Sequence, residues 1–543
     1  MKKFFSHHLF GSGSKNEPIP ALGQSFLRRD VFRGSAFGLF VGLLPSKVAA
    51  APTAGLQLGA SIYQSIGVKP LINARGTFTI ISGSTMLPEV RLAMTEASQH
   101  YVHIDELMAG IGARLAEITQ AEWGMVTCGC SAAITHATAA CIAGGNADLH
   151  VRIPNLEGFA RTEVIIPNHS RNVYDAAVRA VGATVVEAST IEEFEAALGP
   201  KTAMVYILAG PNAESGPLTT KVICELARKR NVPVFVDAAA EGLTVPNVHL
   251  QAGATLVAYS GGKCMRGPQT AGLLLGKKDL VRAAWVHSSP HHGFARSMKI
   301  GKEEAVGMLM AVEMWLKRDH KAEWAQWTSR LDHVAKRVST VPGVTTEVRL
   351  PEGLSNNTPT LVIKWDPSKA NVTGTALAKH LFSTEPRIAL PTGAGLNSIQ
   401  VVLYMMAPGD EKIVADRIVA TLQSPPPEAP KSSAAPAADL SGRWDVQIQY
   451  LASSSTHVLH LTQTSGQVEG THQGDFVSRD LRGSVEGDRV RLTSSYTERH
   501  GDSLQFEFSG QLLGNEISGT LSMGEYLEAK WTAKRHSFGG RRG

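Results

Sequence analysis

A lysine amine that can meet a carbonyl carbon forms a Schiff base. Ser260-Gly261-Gly262-Lys263 follows the apolar run Thr255–Tyr259, so Lys263 stands at the carboxyl end of a strand among glycines. Taken alone, such a lysine reads more readily as a solvated surface cation. A second apolar run, Pro233-Val234-Phe235-Val236, ends on Asp237, 26 residues before Lys263. A carboxylate so placed can keep a pyridine nitrogen protonated, which makes pyridoxal phosphate an electron sink; it can equally cap the next helix. Third, Thr127-Cys128-Gly129-Cys130-Ser131 opens an alanine-rich helix, Ala132–Ala143, whose N-terminal N–H groups and dipole suit a phosphate. Cys128 and Cys130 have no matching ligand cluster elsewhere, and no metal is expected.

These residues need a scaffold that brings strand ends together. Short apolar runs at Glu163–Ile166, Thr184–Val186, Ala203–Leu208, Pro233–Val236, Thr255–Tyr259 and Ala271–Leu275 alternate with helical stretches at Val173–Val181, Ile191–Leu198 and Lys221–Lys229. Near-continuous Val/Ile runs separated by helices indicate an α/β fold, a mostly parallel sheet covered on both faces, with ligands at the strands' carboxyl ends. This large domain is expected over 63–320, closing with one long helix, Glu303–His320. A smaller α+β domain follows over 321–422, with a strand at Thr360–Trp365 and helices at Gly374–Phe382 and Asp410–Leu422. Residues 423–438 are a Pro/Ala-rich linker. Residues 439–536 contain seven short alternating runs separated by Gly and Asn turns, the pattern of a small antiparallel barrel or sandwich. Trp444, Tyr450, Tyr496 and Trp531 read as its core.

Residues 63–422 resemble the fold-type-I pyridoxal-phosphate enzymes of the selenocysteine synthase and D-glucosaminate-6-phosphate ammonia-lyase family. The matching stretches are GVKPLINARGTFTIISGS (67–84), the Cys128–Ser131 turn, PNHSRNVYDAAVRAVGA (167–183), VFVDAAAE (234–241), YSGGKCMRGPQTAG (259–272) and GFARSMKIGKEE (293–304). The resemblance implies that Lys263 carries the cofactor as an internal aldimine and later moves the α-proton, and that Asp237 pairs with the pyridine nitrogen. It gives Cys128, Gly129, Cys130 and Ser131 to the phosphate, with Ser260 and Gln269 as further cofactor contacts and His169 stacked on the ring. His169 reads equally as a packed or capping histidine. Arg75, Arg266, Arg296 and Lys299 become candidates for gripping an acidic substrate, and structural ion pairs suit each of them as well.

The implied activity is a pyridoxal-phosphate lyase or transferase on an amino acid or amino sugar acid, through an α-carbanion, with ammonia release or β-replacement. An aminotransferase or racemase is the alternative, and a non-catalytic binding protein on the same scaffold is the reading from another class. The formal charge of +5 lies entirely in residues 1–50, which hold seven Lys/Arg and two Asp/Glu; the remainder is neutral, so no nucleic-acid partner is expected. Arg28-Arg29, Phe32, a short apolar run from Ala36 to Leu44 and small residues at 48–51 form an export signal of twin-arginine type. That run is too short to span a bilayer, so stable membrane insertion is not expected after signal removal. A periplasmic location is expected, with a cytoplasmic protein or one tethered by an uncleaved leader as alternatives. The five cysteines exclude a disulfide scaffold. The partner is a small amino-acid-like substrate, and the family implies a homodimer or larger homo-oligomer.

Overall fold

The computed structural model describes residues 55–393, 395–427, 434–498 and 503–537. The leader at 1–50 and the middle of the linker lie outside them. Residues 55–68 belong to a separate unit, Met1–Val68, and carry one 3₁₀ turn at Gln64–Ile66. All other described elements belong to the second unit, Lys69–Gly543.

The apolar runs become a seven-stranded sheet: β1 (Trp123–Thr127), β2 (Glu163–Pro167), β3 (Thr184–Ala188), β4 (Thr202–Leu208), β5 (Val234–Asp237), β6 (Leu256–Ser260) and β7 (Gly272–Gly276). Their spatial order is β1-β7-β6-β5-β4-β2-β3. Only β7 runs antiparallel to its neighbours; β6, β5, β4, β2 and β3 are mutually parallel. Val164, Ile165, Ile166, Val205, Phe235 and Val257 have no solvent exposure, as strands covered on both faces require. Helix α1 (Cys130–Ala143) is buried along nearly its whole length, which explains its run of small residues.

The long helix expected at Glu303–His320 is present but ends three residues early, and a second helix follows it. Helix α2 (Lys302–Lys317) ends where Arg318 turns to extended backbone, and α3 (His320–Val338) begins under a cap from Asp319, whose carboxylate accepts from Ala322 N. Arg318 is pulled out of the helix because its guanidinium donates to both oxygens of Glu323 and to the Cys264 carbonyl. Helices α3, α4 (Gly374–Ser383) and α5 (Asp410–Gln423) pack with an antiparallel three-stranded sheet, β8 (Val344–Arg349), β9 (Thr360–Trp365) and β10 (Ser398–Val402), around a second core that includes Leu331, Leu361, Ile399 and Ile418.

The C-terminal strands close into a barrel of eight, one more than the sequence pattern reveals. They are β11 (Gly442–Gln449), β12 (Ser454–Thr464), β13 (Gln467–Gln473), β14 (Ser478–Glu486), β15 (Arg489–Thr497), β16 (Ser503–Leu513), β17 (Glu516–Ser522) and β18 (Glu528–Arg535), each paired antiparallel with its sequence neighbours and β11 with β18. The unexpected strand is β14, whose inward positions include Arg479 and Gly483 beside Leu481 and Val485.

Candidate active site

The carboxyl ends of β1, β2, β5 and β6 lie at one end of the sheet, with Cys128, His169 and Lys263 on the turns that follow and Asp237 at the end of its own strand. Asp237 closes β5 and is 2% exposed. Its Oδ2 accepts from the Tyr206 hydroxyl at 2.9 Å, and its Oδ1 from the Ala239 N–H at 3.0 Å and the Cys130 thiol at 3.4 Å. Tyr206 lies opposite Phe235, two residues from Asp237, so phenol and carboxylate are diagonal neighbours on one sheet face. Asn172 in turn donates to the Tyr206 oxygen at 3.1 Å. Burial raises the Asp237 carboxyl above its ordinary value, against the lowering effect of these donors and of Lys263. Burial, reinforced by Asp237, also raises Cys130 and Tyr206, so both stay protonated as donors.

Lys263 lies on the turn after β6, half-buried. Among the described residues its amine has no hydrogen-bond or ion-pair partner. Two glycines set the turn: a Cβ on Gly261 would press on Met308 of α2 and lie 2.9 Å from the Ala271 carbonyl oxygen. From the other side the segment after the short strand Ile72–Asn73 wraps the turn. Asn73 donates to the carbonyls of Gly76 and Gly83, and a Cβ on Gly83 would lie 2.7 Å from the Gly262 carbonyl oxygen and collide with Gln269. Arg266, at φ 54°, donates to the Thr85 carbonyl and hydroxyl, and Leu87 N donates back to the Arg266 carbonyl.

At the end of β1, Gly129 takes φ 87°, a conformation suited to glycine, and turns the chain into α1. The first helical bond is Ala133 N to Gly129 O, which leaves the N–H groups of Cys130, Ser131 and Ala132 ahead of it at the positive end of a 14-residue helix. Cys130 thus has two duties, its N–H in this turn and its thiol on Asp237. Gly272 of β7 lets the turn sit close; a Cβ there would lie 2.7 Å from Cys130 N. His169 is fixed at both ring nitrogens, Nε2 donating to the Leu218 carbonyl at 3.0 Å and Nδ1 accepting from Ser170 Oγ at 3.0 Å, while Ser170 accepts from Leu208 N. Its edges are occupied and its faces remain for stacking.

Pyridoxal phosphate fits this set. A buried carboxylate with three neutral donors, and no cation bonded to it among the described residues, keeps a lone pair for a pyridinium N–H. An unpartnered amine stands beside it, and an open helix N-terminus can take the phosphate.

The chain shares 32% identity over 301 residues with the D-glucosaminate-6-phosphate ammonia lyase of Salmonella typhimurium (strain 14028s / SGSC 2262), covering 54% of this chain and 79% of that protein. It belongs to the fold-type-I pyridoxal-phosphate enzymes of the selenocysteine synthase-like branch. An aminotransferase class-V family model matches residues 103–293, which contain β1 through β7 and Lys263. A 5'-C-glycyluridine monooxygenase-decarboxylase of Streptomyces sp is 30% identical over 372 residues, 66% of this chain and 90% of that one. A solved structure of D-glucosaminate-6-phosphate ammonia-lyase superposes with a TM-score of 0.60 at 28% identity, over 66% of this chain and 98% of that chain. The protein is therefore a pyridoxal-phosphate-dependent enzyme, a lyase or transferase.

In this family member the candidate substrate cations are placed unequally. Arg75 is half-buried, with its guanidinium 4.4 Å from the Phe78 ring centroid and no carboxylate partner among the described residues. Arg266 is committed to Thr85, so the structure gives it to the Lys263 turn rather than to a ligand. Arg296 is exposed and donates to Ser289, and Lys299 is exposed. Gln269 and Ser131 are exposed; Ser260, at the end of β6, is half-buried. Tyr206 and Asn172 escape a sequence reading, although a tyrosine inside an otherwise aliphatic buried strand was the available signal. A cavity of about 220 Å³ is lined by Cys264, the residue after Lys263, and by Trp315, Trp324, Trp327 and Tyr404 among others. Tyr404 shares a 2.8 Å hydrogen bond with Thr77, two residues from Arg75.

Proposed function

We propose that this enzyme is an ammonia-releasing lyase acting on a 2-amino acid that carries a β-hydroxyl group, an amino sugar acid being the leading case. The observation that carries the reading is the unpartnered Lys263 amine beside the buried, neutrally solvated carboxylate of Asp237, in a chain that covers 79% of an ammonia lyase. Bound pyridoxal phosphate supplies an electrophilic carbonyl carbon and a ring that accepts the electron pair released at the substrate's α-carbon. Asp237 holds a proton at the ring nitrogen, steadied by Tyr206, Cys130 and Ala239. The first turn of α1 binds the phosphate, and His169 presents a face of its imidazole. Arg75 takes the substrate carboxylate, and the aromatic cavity by Cys264 receives its body. Lys263 Nζ takes the α-proton. The β-hydroxyl leaves as water and one water returns on hydrolysis, so a 2-keto acid and ammonia are the net products.

The Arg28-Arg29 leader supports export, which favours an unphosphorylated substrate; cell fractionation with and without an Arg28/Arg29→Lys change tests it. A homo-oligomer is proposed on family grounds, with light scattering on the purified protein as its check.

The central experiment is the visible spectrum of the purified protein with and without pyridoxal phosphate, beside Lys263→Ala. A cofactor band should appear, be trapped by borohydride in the wild type, and vanish in the variant. Loss of the proton-moving amine should also lower kcat by about 10²–10⁴-fold. D-glucosaminate should then release ammonia and a 2-keto acid; no ammonia from any β-hydroxy amino acid would exclude the lyase assignment.

A further inference from the structure

The C-terminal barrel has two unlike ends. At one, Trp444, Leu481, Leu492, Phe508 and Trp531 fill the interior, each at most 3% exposed. At the other lies a cavity of about 410 Å³, walled by Tyr450, Leu504, Phe506, Met523 and Tyr526. It opens where the β11–β12 and β17–β18 connections meet, and Leu451 and Leu527 add exposed apolar surface in those same connections. Eight strands make a barrel whose interior is either just filled by side chains or able to hold one small ligand.

Behind the Tyr450 and Phe506 walls of this cavity the interior is polar. His457, His472, Arg479 and Ser494 all point inward on neighbouring strands and are at most 8% exposed. Hydrogen bonds link Ser494 Oγ to His472 Nδ1 (2.7 Å), His472 Nε2 to His457 Nδ1 (2.8 Å), His457 Nε2 to Ser455 Oγ (3.0 Å) and Ser455 Oγ to the Tyr450 hydroxyl (2.9 Å). Burial lowers both histidines, His472 to about 3, so each imidazole is neutral and each link carries one proton. A chain of single protons runs in one sense throughout, and its outer end is the phenol in the cavity wall.

Arg479 is the odd member. Its guanidinium lies over the Phe506 ring, 4.7 Å from the centroid, and Phe506 is itself a cavity wall. The side chain is 92% buried (8% exposed), and Nε and Nη1 have no hydrogen-bond partner among the described residues. Asp475, half-exposed, approaches His457 at 3.6 Å, and among the described residues Arg479 makes no ion pair. A buried guanidinium without an acceptor is costly, and proteins keep such groups chiefly where an anion completes them.

We propose that the barrel binds an organic monocarboxylate with a short apolar body. The head group accepts from Arg479 and from the Tyr450 hydroxyl. The body lies against Leu504, Phe506, Met523 and Tyr526. With the ligand bound, the relay runs outward: Ser494 donates to His472, His472 to His457, His457 to Ser455 and Ser455 to Tyr450, which leaves the phenolic proton for the carboxylate. This site is independent of the Lys263 chemistry.

The test is calorimetric titration of the full-length, cofactor-loaded protein with octanoate, and with 1-octanol as the uncharged analogue. Octanoate should saturate one site per chain, and octanol should bind at least about tenfold more weakly, the scale of one charge-assisted contact. Arg479→Met should lose octanoate binding by at least about tenfold while melting at the same or a higher temperature, because it removes an unpaired buried charge. Tyr450→Phe, which keeps the ring, should weaken octanoate severalfold and carries the test if Arg479→Met fails to fold. No saturable octanoate binding, equal binding of octanol, or undiminished binding by a folded Arg479→Met or by Tyr450→Phe would each overturn the proposal.

Discussion

Asp237 spends free energy in the empty fold that it recovers when a cation arrives at its remaining lone pair. Burial raises its carboxyl above the ordinary 3.8. The unfolded chain therefore loses this proton near pH 4, while the folded apoprotein holds it to higher pH. Between those two values the folded state binds more protons, so stability falls as pH rises, then levels off above the folded value. The apoprotein's melting temperature should accordingly decline as pH rises above about 4, and Asp237→Asn should flatten that part of the profile. Tyr206 opposes the same effect, since its hydroxyl lowers the Asp237 value. Tyr206→Phe should cost about 1–3 kcal/mol at neutral pH, the scale of a buried hydrogen bond to a charged group, and less in acid. In the holoenzyme it should move the acid limb of kcat upward by about one pH unit, equivalent to about 1.4 kcal/mol. A pH–rate profile unchanged in Tyr206→Phe would mean that the phenol only fills space.

At the scale of elements, the site depends on backbones that approach closely. The turn from β1 into α1 and the start of β7 touch at Gly129 and Gly272, and neither backbone can yield without dragging a strand. Gly272→Ala should therefore displace the α1 N-terminus, weaken pyridoxal phosphate by about tenfold or more, and destabilise the protein by about 1–3 kcal/mol. A cofactor titration followed in the visible band, beside a denaturant melt, checks both. This contact was not legible in the sequence, because it joins residues 129 and 272 through the sheet order. The parallel strands were legible: the middles of β2 (Val164–Ile166), β4 (Ala203–Leu208) and β6 (Leu256–Tyr259) are nearly all hydrocarbon because both faces are covered. Strand β1 was not legible as a strand at all: it holds a glycine, Gly124, and starts at a half-buried Trp123. Strand β14 was hidden for a different reason, since an arginine and a glycine occupy inward positions where the alternation rule expects hydrocarbon. The break at Arg318 was invisible because its cause, the bonds to Glu323 and Cys264, is tertiary. The site divides along the same line. Lys263, Asp237 and the Cys128–Ser131 turn follow strands directly, whereas Tyr206 acts across the sheet and Arg266 is consumed by Thr85.

For the whole molecule, the barrel is an addition to a catalytic body that related enzymes use without it. About two thirds of this chain accounts for 98% of the solved ammonia-lyase chain. The barrel's strands pair only with one another and close the circle from β18 to β11, so it leaves no open edge for the rest of the chain to cover. Its core, built around Trp444, Phe508 and Trp531, is separate from the hydrophobic clusters that precede it. Helix α5 ends at Gln423 with Leu422 buried, and the prolines begin two residues later, so a cut after Gln423 removes no residue from the second core. A protein truncated there should keep the cofactor band and a kcat/KM within about threefold of the full chain, a change too small for a lost transition-state contact. Residues 434–537 expressed alone should unfold in one cooperative transition. The two results together would make the barrel a separately folding binding module, and octanoate should then shift the melt of the full chain but not that of the truncated enzyme. A truncated enzyme that loses the band would instead place the barrel within the catalytic architecture.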